Sequence, residues 1–184
     1  MKHTLDKTVV SVKGLLNLTD VTIPAYQRPY KWTVKNIGEL FADINSHLDK
    51  SAYRLGSVVF HQAESDAENR LDIVDGQQRT LTLILAVWAI IETRLVELER
   101  QDLQETLTKL RPSVESFMGR QRFASQISEY NLYQNYQELK RKVSHREFSE
   151  EHIDFLLNRC QMVVFVLTDL SEAFQFFDSQ NARG

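Results

Sequence analysis

The apolar positions of the chain change period several times, and each change marks an element. Val9-Val10 is a short extended run that passes, from Ser11, into a helical turn with Val12, Leu15 and Leu16 on one side. Residues 20–23 read as a strand. Thr33 is a good helix N-cap, and Val34, Ile37, Leu40, Phe41, Ile44 and Leu48 recur at helical steps, which predicts an amphipathic structural helix ending near Asp49. Residues 53–62 read as a strand, residues 63–69 as a polar turn and residues 71–74 as a second strand. This predicts an antiparallel hairpin that delivers Asp75 to the end of a sheet. From Gly76 onward, Leu81, Leu83, Ile84, Leu85, Val87, Trp88, Ile90 and Ile91 leave almost no polar face, so this helix is expected to be the buried centre of the domain.

Beyond Glu92 the pattern turns charged and amphipathic to about Leu110, where Pro112 is expected to break it. A second, mostly helical section follows over residues 113–159. In it Phe117, Phe123 and Ile127 are expected to face inward. A tyrosine-rich helix then carries Tyr130, Leu132, Tyr133, Tyr136 and Leu139, whose three- and four-residue spacing favours packing over base stacking. Ser149 starts another helix, residues 162–167 form a buried strand, and Ser171 caps a final helix with Ala173, Phe174 and Phe177 inward. The expectation is an α+β fold, a small mixed or antiparallel sheet packed on a buried central helix, with a helical insertion, in one domain over residues 1–184.

Composition narrows the function classes. The chain has 184 residues and 42% hydrophobic content, enough for a single core. A net charge of -3 and a pI near 6.0 argue against a dedicated nucleic-acid surface, so any DNA contact has to be a local patch. Two basic clusters qualify, Arg111 with Arg120 and Arg122, and Lys140-Arg141-Lys142 with His145 and Arg146. Their ordinary reading is a solvated helix end that complements the dipole, and the alternative is a DNA-backbone contact. The lone Cys160 excludes an intrachain disulfide and fits a reducing cytoplasm. The longest apolar run, residues 83–91, is too short to span a bilayer, and no signal-peptide core is present. A soluble, cytoplasmic protein without a membrane partner is expected.

Local chemistry concentrates at Ile73-Val74-Asp75-Gly76-Gln77-Gln78-Arg79-Thr80, where a strand ends in an acid and a glycine before the central helix. The first N–H groups of such a helix lack intrahelical partners, Gly76 has no Cβ to keep a phosphate away, and Arg79 offers a bidentate fork. A competing reading needs no ligand. In it Asp75 is the helix N-cap and Gln78 the other half of a capping box. No G-x-x-x-x-G-K-[ST] or G-x-G-x-x-G is present, and the histidines and cysteine lack metal-ligand spacing.

Three separated segments carry a resemblance. Ile23-Pro24-Ala25-Tyr26-Gln27-Arg28-Pro29-Tyr30-Lys31-Trp32, then Leu55-Gly56-Ser57-Val58-Val59-Phe60 with the central motif, and last Ala173-Phe174-Gln175-Phe176-Phe177-Asp178-Ser179-Gln180-Asn181-Ala182-Arg183-Gly184 resemble the N-terminal domain of GmrSD-type restriction proteins. The resemblance implies a ParB and sulfiredoxin-like domain that binds, and in characterised members hydrolyses, nucleoside triphosphates to control DNA cleavage in anti-phage defence, as in GmrSD and SspE proteins. It implies a pocket built from Gln27, Arg28, Gly76, Gln77, Gln78, Arg79, Thr80, Asn181 and Arg183. Asp75, Gln78 and Arg79 are its catalytic candidates, with Asp75 available to Mg²⁺. Thr80-Leu81-Thr82 departs from the family's more usual Leu-Thr-Thr. Because the family's usual continuation beyond N-x-R-G is absent, the chain looks like an N-terminal fragment. DNA would then be engaged through the full-length protein and a C-terminal or separate nuclease module, with no cleavage by this chain alone. The alternative is a non-catalytic module that senses nucleotide or a DNA phosphate and positions that nuclease.

Overall fold

The computed structural model describes residues 5–18, 21–22, 30–62, 71–120 and 126–168. Five strands, β1 (Leu5–Ser11), β2 (Val21–Thr22), β3 (Tyr53–His61), β4 (Leu71–Asp75) and β5 (Cys160–Leu167), form one sheet in the order β1-β5-β3-β4-β2. The sheet is mixed. β1 runs antiparallel to β5, β5 parallel to β3, β3 antiparallel to β4, and β4 parallel to β2. Among the described residues six α-helices accompany it: α1 (Val12–Leu16), α2 (Val34–Ser46), α3 (Gln77–Arg94), α4 (Gln101–Arg120), α5 (Gln126–Ser144) and α6 (Glu150–Asp154). The fold is α+β, as the patterning predicts.

Alternation along β3 decides which face carries the core. Val58 and Phe60 point into the main hydrophobic cluster, which also takes Ile73, Met162, Val164 and the length of α3, whereas Val59 points the other way into a small cluster with Val74 and Leu167. Helix α3 is buried almost all round, with Leu81, Leu83, Leu85, Val87, Ala89 and Ile90 all at or below 1% exposure. It is the central helix the sequence called for, packed beside both α4 and α5. Cys160 is fully buried at the start of β5, and burial pushes its thiol up to about 12, which keeps it protonated and unreactive.

The expected break at Pro112 does not occur there. Pro112 lies inside α4, which runs unbroken from Gln101 to Arg120, so the helical section begins near residue 101 and not 113. A proline in a helix interior costs about 3 kcal/mol. Leu103, Leu107, Leu110, Val114 and Phe117, buried at helical spacing on one face, contribute roughly 1.5–3 kcal/mol each and outweigh it. The chain breaks earlier, after the 3₁₀ turn Leu95–Glu97, because Glu150 reaches across from α6. Its carboxylate accepts the N–H groups of Glu99 at 3.0 Å and Arg100 at 2.8 Å, and these bonds, Arg100's first, hold its pKa below the usual range.

The tyrosine-rich helix also departs from expectation. Tyr130 and Tyr133 are exposed, at 64% and 61%, because the inward stripe of α5 is Asn135, Leu139 and Val143. Only Leu132 and Tyr136 pack against the core from their half-buried positions. Phe117 is inward, while the side chains of Phe123 and Ile127 and the final helix from Ser171 lie outside the described residues.

Candidate functional site

The hairpin of β3 and β4 ends in a way that sets up the site. Its register carries a shift that leaves Val74 as an extra residue between the pairs Phe60↔Ile73 and Val59↔Asp75. β4 therefore stops opposite Val59, the seventh of the nine residues of β3, short of the end of the sheet to which the sequence suggested it would run. The chain has to leave the sheet directly over the β3 backbone, and Gly76 makes that possible. Its φ is 89°, and a Cβ there would lie 2.5 Å from the Ser57 carbonyl oxygen and 3.0 Å from Val58 Cα.

Gly76 is the N-cap of α3, and its carbonyl accepts the first helical bond, from Thr80 N at 3.1 Å. The capping box read from Asp75 and Gln78 is not formed. Asp75 Oδ1 accepts the adjacent Gly76 N–H at 2.9 Å, and the Gln78 side chain points to another segment altogether. Its Oε1 accepts the N–H groups of Lys31 at 2.8 Å and Trp32 at 3.2 Å. Gln77 is buried at 8% exposure, and Thr80 at 1% has an Oγ1 without a hydrogen-bond partner among the described residues.

Arg79, one turn into α3, is half-buried. Its guanidinium carbon sits 5.6 Å from the centroid of the Trp32 ring, a cation–π arrangement. A Cβ on Gly56 would lie 3.1 Å from Arg79 Nη1 and 3.6 Å from its Cδ, so the glycine of the Leu55-Gly56-Ser57 segment makes room for the side chain. Among the described residues the fork of Arg79 has neither a carboxylate nor a carbonyl partner.

The segment that presents Trp32 is held by side chains that sequence reasoning missed. Asn131 Nδ2 donates to the Tyr30 carbonyl at 3.1 Å, and Asn135 Nδ2 donates to the Trp32 carbonyl at 2.8 Å and to the Tyr30 hydroxyl at 2.8 Å. Thr82 Oγ1 gives its proton to the Gln78 carbonyl at 2.8 Å, so across the 2.8 Å contact between Tyr30 and Thr82 the tyrosine is the donor. The result is a directed chain from Asn135 through Tyr30 and Thr82 to the α3 backbone. Burial is the main reason the Tyr30 hydroxyl has its pKa raised, which keeps it protonated for this role. The available signal was a pair of asparagines four residues apart on a stripe that continues as Leu139 and Val143.

The structure thus gathers Asp75, Gly76, Gln77, Gln78, Arg79 and Thr80 with Tyr30 and Trp32. Gln27, Arg28, Asn181 and Arg183 lie outside the described residues. Among the described residues no group of three or more His, Cys, Asp or Glu side chains is placed to hold a metal ion, and no helix is long and apolar enough to cross a membrane.

The family model for the GmrSD restriction endonuclease N-terminal domain matches residues 12–184 of the chain. The chain belongs to that family. Membership gives it a place in a restriction system, and the match takes in both the described site and the segments that carry Gln27, Arg28, Asn181 and Arg183. No curated protein matches the chain.

Proposed function

We propose that this GmrSD-family domain binds a nucleoside triphosphate at the start of α3, hydrolyses it, and uses the nucleotide state to govern a nuclease module, C-terminal or separate, in modification-dependent restriction of phage DNA. The observation that carries the reading is Arg79. An arginine half-buried on Trp32 with no carboxylate or carbonyl on its fork among the described residues, beside the positive end of an 18-residue helix, is poised for phosphate. The unpartnered hydroxyl of Thr80 supports it, since a buried polar group without a bond is costly unless something supplies one. Gln78 positions Trp32 and so the platform on which Arg79 rests. Gln27, Arg28, Asn181 and Arg183 complete the pocket in this reading, which follows the ParB-like pattern that the family resemblance implies.

Asp75 is the acid at the turn. One carboxylate fits Mg²⁺, a hard cation bound through one or two carboxylates together with substrate phosphates. Such an ion would supply charge neutralisation, while Arg79 and the helix N-terminus stabilise charge on the phosphates. One observation favours the runner-up, a module that senses nucleotide or a DNA phosphate without turnover. Asp75 Oδ1 is already bonded to Gly76 N–H, which is a shaping role.

Calorimetric titration with each of the four triphosphates, alongside phosphate-release assays, separates the two with Asp75→Asn. The amide keeps an oxygen for Gly76 and loses the charge, so the variant is expected to bind as tightly as the parent and release phosphate far more slowly. Equal loss of binding and release would reduce Asp75 to a loop-shaping residue, and no binding of any triphosphate would remove the pocket.

A further inference from the structure

At the opposite end of α3 a cleft of about 480 Å³ opens between α2, the end of α5 and the turn that leads into α6. We propose that it is a second binding site, for a nucleotide unit: a phosphate on the cationic rim and a flat ring on the aromatic floor. The floor is a continuous run of rings. Phe41 and Phe148 have centroids 5.7 Å apart, and Phe148 and His152 5.3 Å. His152 takes no charge there. Its Nδ1 accepts the Ser149 N–H at 3.2 Å, so Nε2 carries the proton and donates to Asn45 Oδ1 at 2.9 Å. That leaves the Asn45 amide nitrogen as a donor with no bond among the described residues, beside a neutral, polar-edged floor whose rings are tilted to one another by 54° and 37°.

The rim supplies the charge. Lys142 and Arg141 line the cleft beside the Glu147 carboxylate, and a second carboxylate, Glu138, stands behind Arg141. Arg141 is held in place by a two-pronged bond to Glu138, at 2.6 Å and 2.9 Å. Lys142 has no carboxylate partner among the described residues, and its Nζ stands 5.9 Å from the Phe41 centroid. His145 accepts the Glu147 N–H on Nδ1, at 3.2 Å, which leaves Nε2 as its remaining polar atom. The wall is pre-organised, because Arg94 Nη1 donates to the carbonyls of Val143 at 2.9 Å and Phe148 at 2.7 Å. The volume falls within the range of small-molecule sites, and ring stacking with a basic phosphate contact is the chemistry by which nucleotides are held. Arg94, which braces the wall, ends α3 and Gln77 begins it, about 25 Å away along the helix axis, and the cleft shares no lining residue with the triphosphate site.

The test titrates the whole chain with a 5′-mononucleotide, a short single-stranded oligodeoxynucleotide and inorganic phosphate, reading the imidazole NMR signals of His145 and His152. Saturable shifts with the nucleotides and weaker ones with phosphate are expected. Lys142→Met, which keeps the stem over Phe41, should lower affinity about tenfold, whereas Arg79→Ala should leave the shifts unchanged. Tighter binding of the oligonucleotide than of the mononucleotide identifies a strand as the source of the unit, and equal binding identifies a free nucleotide. Absent shifts, phosphate equal to nucleotide, or a folded Lys142→Met with parental affinity would each overturn the proposal.

Discussion

Two arginines on one helix differ in what distant segments of the chain bring to them. Arg94, at the end of α3, is 13% exposed and anchored: Nη1 donates to two carbonyls, and the guanidinium pairs with Glu97 at 2.7 Å. Arg79, at the start of the same helix, rests on Trp32 in a space kept by Gly56, and its fork meets no acceptor among the described residues. In the sequence each is an arginine near a helix end. Partners from distant segments make the difference: the turn after α5 supplies Arg94 with its carbonyls, and nothing described does the same for Arg79.

The change expected to act most strongly on this contrast removes the turn that places Arg79. Gly76→Ala puts a Cβ at a positive φ, a strain of about 1–3 kcal/mol, and adds a collision with the Ser57 carbonyl at 2.5 Å. Urea unfolding should show a loss beyond that range, and a variant as stable as the parent would mean that α3 starts elsewhere. Arg94→Ala comes next. It strips charge-assisted bonds from the Val143 and Phe148 carbonyls and should cost about 1.5–3 kcal/mol of stability with no change in triphosphate affinity.

Arg79→Ala is expected to behave in the opposite way. Stability should fall by only about 0.5–1 kcal/mol, the worth of the cation–π contact with Trp32, while triphosphate affinity falls roughly tenfold to a hundredfold. If it unfolds the protein, the contrast with Arg94 collapses. The smallest effect concerns pH. Burial lowers the pKa of His152 below 6.5, so the folded state resists protonation that the unfolded state accepts. That stabilisation is full above pH 6.5 and is lost as pH falls from there toward the folded value. Unfolding midpoints measured above and below that pH should decline in the parent and change less in His152→Gln.

Elements whose evidence is local were legible in the sequence. The period of α2, the apolar breadth of α3 and the alternation of β3 each reflect burial that one segment declares by itself. Thr33 does form its capping box, with Asn36. What escaped was decided by other segments. Pro112 reads as a stop until the leucine face of α4 is packed, and the true stop is set by Glu150, some fifty residues on. The Asp75-Gly76 turn was legible as a candidate anion site. Its alternative, a local capping box, was equally legible and is not what forms, because Gln78 bonds the backbone of Lys31 and Trp32. Asn131 and Asn135 carry no signal of their own in the sequence, yet Asn135 is fully buried and fixes the platform.

The directed chain from Asn135 through Tyr30 to Thr82 has a kinetic consequence. It joins positions 105 and 52 residues apart, so the entropy of closing long loops has to be overcome before any of its bonds can form. The platform under Arg79 is complete only once α5 has docked. A ligand that needs this platform therefore meets nothing to grip in a half-formed chain. It acts as a brake on unfolding and leaves the speed of folding untouched.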